Sequence, residues 1–560
     1  MATEKRWIAS FFIVIFVWFG ILFSTVYQWA NGVEVLIDSE VDLSYVTLPL
    51  MGLALVYTLS GIFIFAVYFI AFNRVKTRQQ QKFDTIQKEI EIKRQHAVGV
   101  KAIEKASTAK RNQVGLVPDQ NLVSIISSTH SSGAKNDFPD LTNQTAQMPI
   151  NIGAIKTTFD YDVSSSSYSE NNRSKAVNMN GYRQNNWDGD GSTQYNDLCS
   201  IIIPSRNEEA VIRKTIQNCL LQTYKNIEII VVCHNCSDRT FKEATQVLDS
   251  RVMPFELTTT EAGKGIALNY GVEKATGDYV LILDGDGRLS NDFIEKAMPL
   301  FYTDEEIAGV QGRYVPSNRN YNFITRLLSI EGDLWSTPYM TARSFLYKQV
   351  YLGGTGFILK KDVLKAVGSF NNHLVDDYEL SCRLFKKNYK IVFAPLSVDY
   401  DEKPPSISIM LRQRARWAKG FLGLLRNRQT KASDLLGTIY WLSPIASIAG
   451  ILVLAIFGYA TIHNILFDYY PYKYSYIPLN LWFSLIGAVF GLQFGVIVKE
   501  YGRQGMKYAP LLILFNPFSL YSFVTYVKAL FVKSWGDTKT AHGFTTKNSG
   551  NEERVLTSPD

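Results

Sequence analysis

The chain has 560 residues, with 58 Lys and Arg against 51 Asp and Glu, and a net charge of +7. Length allows roughly three or four domains, and the charge is too mild, and too concentrated beside apolar runs, for a nucleic-acid-binding surface. A mean hydropathy of −0.03 averages long uncharged apolar runs near both ends with a polar Ser/Asn/Gln-rich stretch, which excludes both a simple soluble globule and a bundle of membrane helices alone.

In chain order, residues 7–33 and 43–73 carry no charge, and neither do 435–462, 474–498 and 508–527. Each is near the ~20 residues that cross a bilayer, so five spans are expected. The first is too long for a signal-peptide core and is followed closely by a second span. Lys5 and Arg6 precede span one, Glu34, Asp38, Glu40 and Asp42 fill the first loop, and Arg74, Lys76, Arg78 and Lys82 follow span two. Bases mark the cytosolic side, so the central region is expected in the cytosol of an integral membrane protein of the plasma membrane. Asn516-Pro517 interrupts the last run, and Lys528, Lys533 and Lys539 follow it. A re-entrant or interfacial element before a cytosolic tail accounts for both features.

The expected organisation is two spans in 1–73, a linker in 74–197, a central domain in 198–430, a membrane region of two to three spans in 431–533 and a tail in 534–560. Within the linker, 79–112 reads as a short surface helix. Residues 113–196 are too poor in apolar side chains to offset ordering entropy and read as disordered. The five cysteines, all central, have no disulfide-framework spacing, which fits a reducing compartment. Cys233 and Cys236 form a lone CxxC without the further ligands zinc needs, and read as structural thiols.

The central domain begins with Cys199–Pro204 as a buried strand. A helical pattern over 208–221 and strands at 227–232 and 278–283 follow. This alternation indicates an α/β fold with a mostly parallel sheet, in which ligands bind beyond the carboxyl ends of strands. Asp284-Gly-Asp286 ends the third strand, and two carboxylates one residue apart can share Mg²⁺ with phosphate oxygens, although such a triplet alone is also a surface turn. Lys264, between Gly263 and Gly265 before a helix, suits a phosphate or an ordinary helix start. Gly353-Gly354-Thr355-Gly356 allows backbone close to a ligand. Asp376, Asp377 and Glu379 open a probable helix, where acids also suit the helix dipole. Gln413-Arg-Ala-Arg416-Trp417 lies in a basic stretch that also suits a membrane-facing helix.

In this order the motifs resemble the family 2 processive glycosyltransferases, among them cellulose, chitin, hyaluronan and poly-N-acetylglucosamine synthases, over about 198–430. The matching positions are Asp238 in the first nucleotide loop, Asp284-Gly-Asp286, Val375-Asp376-Asp377 and Gln413–Trp417. The resemblance implies a GT-A-like nucleotide-sugar domain flanked by transmembrane helices. It implies inverting transfer from a UDP-linked hexose or N-acetylhexosamine to a growing glycan acceptor, beside membrane lipid and without nucleic acid. Asp377 would be the general base and Asp376 its support. Asp284 and Asp286 would hold Mg²⁺ or Mn²⁺, with Asp286 counted among the catalytic residues. Asn207, Glu208, Asp238, Lys264, Gln413 and Arg416 would bind donor, and Trp417, Gly354 and Thr355 acceptor. Ser534–Lys539 resembles a chitin-synthase stretch, which would bring Trp535 and Lys539 to the phosphates. The first loop departs from the family: Cys233-His-Asn-Cys-Ser-Asp238 keeps only the last acid of DDGSTD, so His234 or Asn235 would take over the uracil contact. The rivals are single-sugar transfer to a lipid carrier, which needs no Gln413–Trp417 motif, and a catalytically dead membrane scaffold.

Overall fold

The computed structural model describes residues 44–114, 197–426, 479–518 and 521–532, with scattered positions between 448 and 467. The first expected span, most of the third, the stretch 115–196, and Trp535 and Lys539 lie outside the described residues. The chain divides into two compact units, 1–89 with 194–560, and 90–193.

The central domain is built on one eight-stranded sheet in the order β3-β2-β1-β4-β7-β6-β8-β5. Strands β1 (Cys199–Ser205), β2 (Ile227–His234), β3 (Val252–Leu257) and β4 (Tyr279–Ile282) pair in parallel. β5 (Arg288–Leu289), β6 (Ile307–Pro316), β7 (Phe357–Lys360) and β8 (Lys390–Asp401) complete it, with β7 antiparallel to both β4 and β6. The continuous apolar runs of β1 and β2 follow from burial on both faces. Ile202, Ile230, Val232 and Ile282 enter one core, while Ile201, Ile203, Ile229 and Val231 enter the other.

Of the helices, α1 (Ser44–Val114) carries the second expected span. α2 (Ile212–Leu220) covers one face of the sheet through Ile212, Ile216 and Cys219, and α3 (Lys264–Lys274) covers the other through Ala267, Leu268 and Val272. α4 (Phe323–Glu331) continues through a π-helical turn, Gly332–Ser336, into α5 (Thr337–Tyr347). α6 (Asp376–Lys386) and α7 (Ile407–Arg426) carry the last two motifs. The C-terminal part holds α8 (Leu479–Tyr501), α9 (Ala509–Phe518) and α10 (Tyr521–Ala529).

β1 is the switch point of the sheet: the chain winds outward through β2 and β3, then returns to the other side of β1 as β4. The loops after β1 and β4 therefore frame a crevice, and the Asp284–Asp286 loop lies at its edge.

One expectation about the flanks changes. Residues 79–112 are not a separate surface helix but the continuation of α1. No Gly or Pro stands between Arg74 and Val98, and the Gln, Lys and Glu there are good helix formers. At Pro517 the last run is interrupted as expected: α9 ends one residue past it, at Phe518, and α10 begins at Tyr521. Among the described residues, two helical stretches, Gly52–Ile92 and Ser484–Tyr501, hold segments long and apolar enough to cross a membrane.

Candidate active site

A cleft of about 530 Å³ opens at the carboxyl ends of β1 and β4. Asp284, immediately beyond β4, is fixed through its backbone N–H, which donates to Thr355 Oγ1 at 3.0 Å. Gly285 lets the turn pass close to Glu208 and Ser205: a Cβ there would lie 3.0 Å from each side chain. Lys264, at the start of α3, reaches across the cleft floor, donating to Asp284 Oδ1 at 2.5 Å and to the Gly354 carbonyl at 2.7 Å. Burial opposes its charge, but Asp284, Asp376 and Asp377 outweigh that and its pKa is raised.

The Gly353–Gly356 loop is held from below. Gly353 N–H donates to Gln311 Oε1 at 3.0 Å, and Tyr314 O–H donates to the Thr355 carbonyl at 2.9 Å. Gly354 and Gly356 have φ of 85° and 59°, where side chains are strained. A Cβ on Gly354 would sit 3.2 Å from Asp377 Oδ2, so the loop and the start of α6 share one wall. Burial, then the neighbouring Asp376, push the Asp377 carboxyl up to about 7. Burial likewise raises Asp376 against the pull of Lys264 and Arg416. Arg416 on α7 donates to the Leu374 carbonyl at 3.0 Å, just ahead of these acids. Its neighbour Arg414 lies 4.2 Å over the Trp417 ring and pairs with Glu331 at 2.7 Å. Tyr521 of α10 donates to the same Glu331 at 2.7 Å.

The cleft thus gathers Glu208, Lys264, Asp284, Asp286, Gly354, Thr355, Asp376, Asp377, Gln413, Arg416 and Trp417. Asn207 and Asp238 are not part of its lining. Asn207 Oδ1 accepts from Ser237 N–H at 2.7 Å. Asp238 accepts from Thr240 N–H at 3.0 Å and Glu209 N–H at 3.2 Å. Both join the loops after β1 and β2. Of the two candidates for the missing acid, Asn235 pins Thr259 through backbone contacts at 2.9 and 3.0 Å, whereas His234 lines the cleft. Its ring Nε2 lies 2.7 Å from Thr259 Oγ1, and burial, then Arg206, lower its pKa.

Sequence reasoning missed Arg206, Tyr314, Glu331, Asp399 and Asp401, all of which line the cleft. The last two carried a signal: β8 runs apolar from Ile391 to Ala394, then places acids two residues apart, on one face of a strand.

Residues 197–420 match the model described as glycosyltransferase like family 2. Those residues are similar to a family 2 glycosyltransferase domain. The glycosyltransferase domain is 28% identical over 228 residues to "Probable glycosyltransferase YdaM" of Bacillus subtilis, covering 40% of this chain and 54% of that protein. It is 27% identical over 229 residues to "Poly-beta-1,6-N-acetyl-D-glucosamine synthase" of Staphylococcus aureus, again 40% and 54%. A third relative at 27%, "Beta-monoglucosyldiacylglycerol synthase" of Trichormus variabilis, is matched over 40% of this chain and 48% of its own length. The matches span about half the length of these relatives. Among solved structures, a mannosyltransferase from Pyrobaculum calidifontis, in complex with GDP-Man and Mn²⁺, is similar at 17% identity and a TM-score of 0.40, over 61% of this chain and 89% of that one.

Proposed function

We propose that this chain is a membrane-embedded inverting glycosyltransferase that moves a hexose or N-acetylhexosamine from a UDP-linked donor onto a growing polysaccharide. The observation that carries this reading is the single cleft in which Asp377 and the Asp284–Asp286 loop meet across Lys264. A base for an acceptor hydroxyl and a cationic seat for a diphosphate then face one space.

Asp377 takes the acceptor proton, which general base catalysis requires within hydrogen-bond reach. Asp376 and Arg416 hold it in place. Lys264 and Arg416 meet the negative charge that builds on the departing diphosphate. Trp417, braced by Arg414, offers a flat face for a sugar ring. Asp284 and Asp286 fit Mg²⁺ or Mn²⁺: both are hard oxygen donors one residue apart, and an ammonium already stands beside Asp284 as a cationic partner. When bound, the cation neutralises charge on the leaving diphosphate. The apolar stretches of α1 and α8 support membrane embedding, and the bases after residue 73 support a cytosolic face.

The test is turnover by the purified full-length chain with a panel of UDP-sugars, scoring released UDP and product length. A polymer from one donor is expected, and Asp286→Asn should lower its rate by ~10²-fold or more. A single sugar on lipid would replace polymerisation with the carrier-charging alternative. Absence of both binding and turnover for every nucleotide sugar would remove the enzymatic reading.

A further inference from the structure

Asp399, on β8, is the least expected side chain in the cleft. Its register is fixed by pairing with Leu289 of β5 on one side and Tyr314 of β6 on the other. It is 0% exposed, yet it lines the same cleft as Asp284, Asp286 and Asp401. Among the described residues neither of its carboxyl oxygens meets a hydrogen-bond partner in good geometry, although the Thr355 hydroxyl is near enough to favour the charged form. The neighbouring acids have cations: Asp284 holds Lys264 at 2.5 Å and Asp401 holds Lys403 at 2.7 Å. Among the described residues Asp399 has no ion pair.

A buried, unpaired carboxylate is expensive to keep, and here the backbone makes room for it. Gly356 has φ of 59°, and a Cβ on it would lie 2.3 Å from Asp399 Oδ2. Glycine at that position leaves space that the carboxylate occupies. Burial, then the charges of Asp401, Asp284 and Asp286, hold the Asp399 carboxyl well above the ordinary carboxylate range. Among the described residues no three acidic, His or Cys side chains are already drawn around one point.

We infer that Asp399 is an additional carboxylate of the divalent-cation site, and that it lets this chain bind the cation before the nucleotide. The inference rests on the cation seat proposed at Asp284 and Asp286. Mg²⁺ held by one or two carboxylates needs substrate phosphates to complete its site. A further anion from β8 supplies attraction that two carboxylates partly neutralised by Lys264 lack. It also explains why an unpaired acid is retained on the cleft floor: the cation is its partner.

The experiment uses the full-length chain in detergent, freed of metal with chelator and then titrated with Mn²⁺ without nucleotide. Binding is read by the loss of the free Mn²⁺ paramagnetic resonance signal and by the rise in Tm. Wild type should bind and gain Tm. Asp399→Asn should bind at least tenfold more weakly and lose that gain, while its Tm in chelator equals or exceeds that of wild type. Glu273→Gln, which removes a surface acid outside the cleft, should behave as wild type. Asp399→Ser, smaller and neutral, repeats the test in case the amide packs badly. Mn²⁺ binding only in the presence of UDP, or equal affinity in wild type and both variants, overturns the inference. So does unfolding of both variants in chelator, which would make Asp399 a structural group. The readout needs no turnover, so failure of the UDP-sugar panel and failure of this inference remain separate results.

Discussion

Asp377 and Asp376 are adjacent and acidic, but Asp376 is buried and Asp377 half-buried, and their surroundings differ. Asp377 is the one that faces the glycine loop, with its Oδ2 3.2 Å from where a Gly354 side chain would begin. Its backbone carbonyl is tied to Ser381 Oγ at 2.8 Å and its Oδ1 accepts from Tyr378 N–H at 2.7 Å, leaving Oδ2 towards the cleft. Asp377→Asn keeps shape and donor binding and should lose ~10²–10⁴-fold in transfer rate, measured with donor affinity as the control. A healthy Asp377→Asn beside a dead Asp376→Asn would move the base by one residue. The pH profile follows from the same environment. A base must be deprotonated, and burial with Asp376 sets this carboxyl at about 7. Transfer should therefore rise roughly tenfold per pH unit below that value and level off above it. The linkage sign for stability is opposite. The folded state holds this proton more tightly than the unfolded chain, so the group's contribution falls as pH rises from the ordinary carboxylate range towards 7. Asp377→Asn should flatten that decline in a Tm-against-pH series.

At the scale of elements, the site depends on a loop pinned between three strands. Gly356 N–H donates to the Ile282 carbonyl at 2.9 Å, and its own carbonyl accepts from Gly312 N–H at 2.9 Å. The loop therefore ties β4 to β6 while turning through φ of 59° with Asp399 beneath it. Gly356→Ala adds strain of about 1–3 kcal/mol and a clash with a carboxylate. We expect a lower Tm and loss of Mn²⁺ binding, whereas unchanged values for both would show that the loop has slack. This arrangement also shows what the sequence could convey. The buried strands announce themselves by unbroken Ile and Val runs, and the acids after β4 and at α6 stand at strand and helix ends, where ligands are expected. Asp399 and Asp401 lie on a strand, where an acid ordinarily marks the solvent face; only the loop at Gly356, packed against the Asp399 carboxylate, reveals that Asp399 is covered. Asn207 and Asp238 lie at the expected loop positions but spend their side chains joining two loops, a choice that depends on contacts across about 30 residues of chain. The continuity of α1 past residue 73 was legible in the lack of Gly and Pro between Arg74 and Val98, but the polarity change at Arg74 suggested a boundary. Buried Gln79 bridges that change, donating to the Lys296 carbonyl at 3.1 Å and accepting from Leu396 N–H at 2.9 Å.

On the scale of the whole molecule, the apolar helices and the glycosyltransferase domain are joined by buried charge. Glu500, near the end of α8, pairs with Arg313 of β6 at 2.8 Å and accepts from Tyr68 of α1. Arg319 pairs with Asp333 at 2.6 Å, Tyr501 donates to the same Asp333 at 2.6 Å, and the Arg319 guanidinium lies 4.4 Å over the Tyr501 ring. Arg313 precedes Tyr314, the residue that holds the Thr355 carbonyl in the glycine loop, so the α8 anchor is one residue from a cleft contact. Apolar packing alone would let α8 slide against β6; paired charges with one geometry resist that. Removing a single partner leaves the other buried and uncompensated, which typically costs about 3–5 kcal/mol, while replacing both is far milder. Glu500→Gln should therefore lower the Tm strongly and weaken UDP-sugar turnover, although Glu500 does not line the cleft. Adding Arg313→Met should recover most of the lost Tm in a double-mutant cycle. If recovery of Tm comes without recovery of turnover, the pair also sets the glycine loop's position through Tyr314. A Glu500→Gln change of less than about 1 kcal/mol, the range of an exposed ion pair, would show that α8 is held to the domain by its apolar face alone.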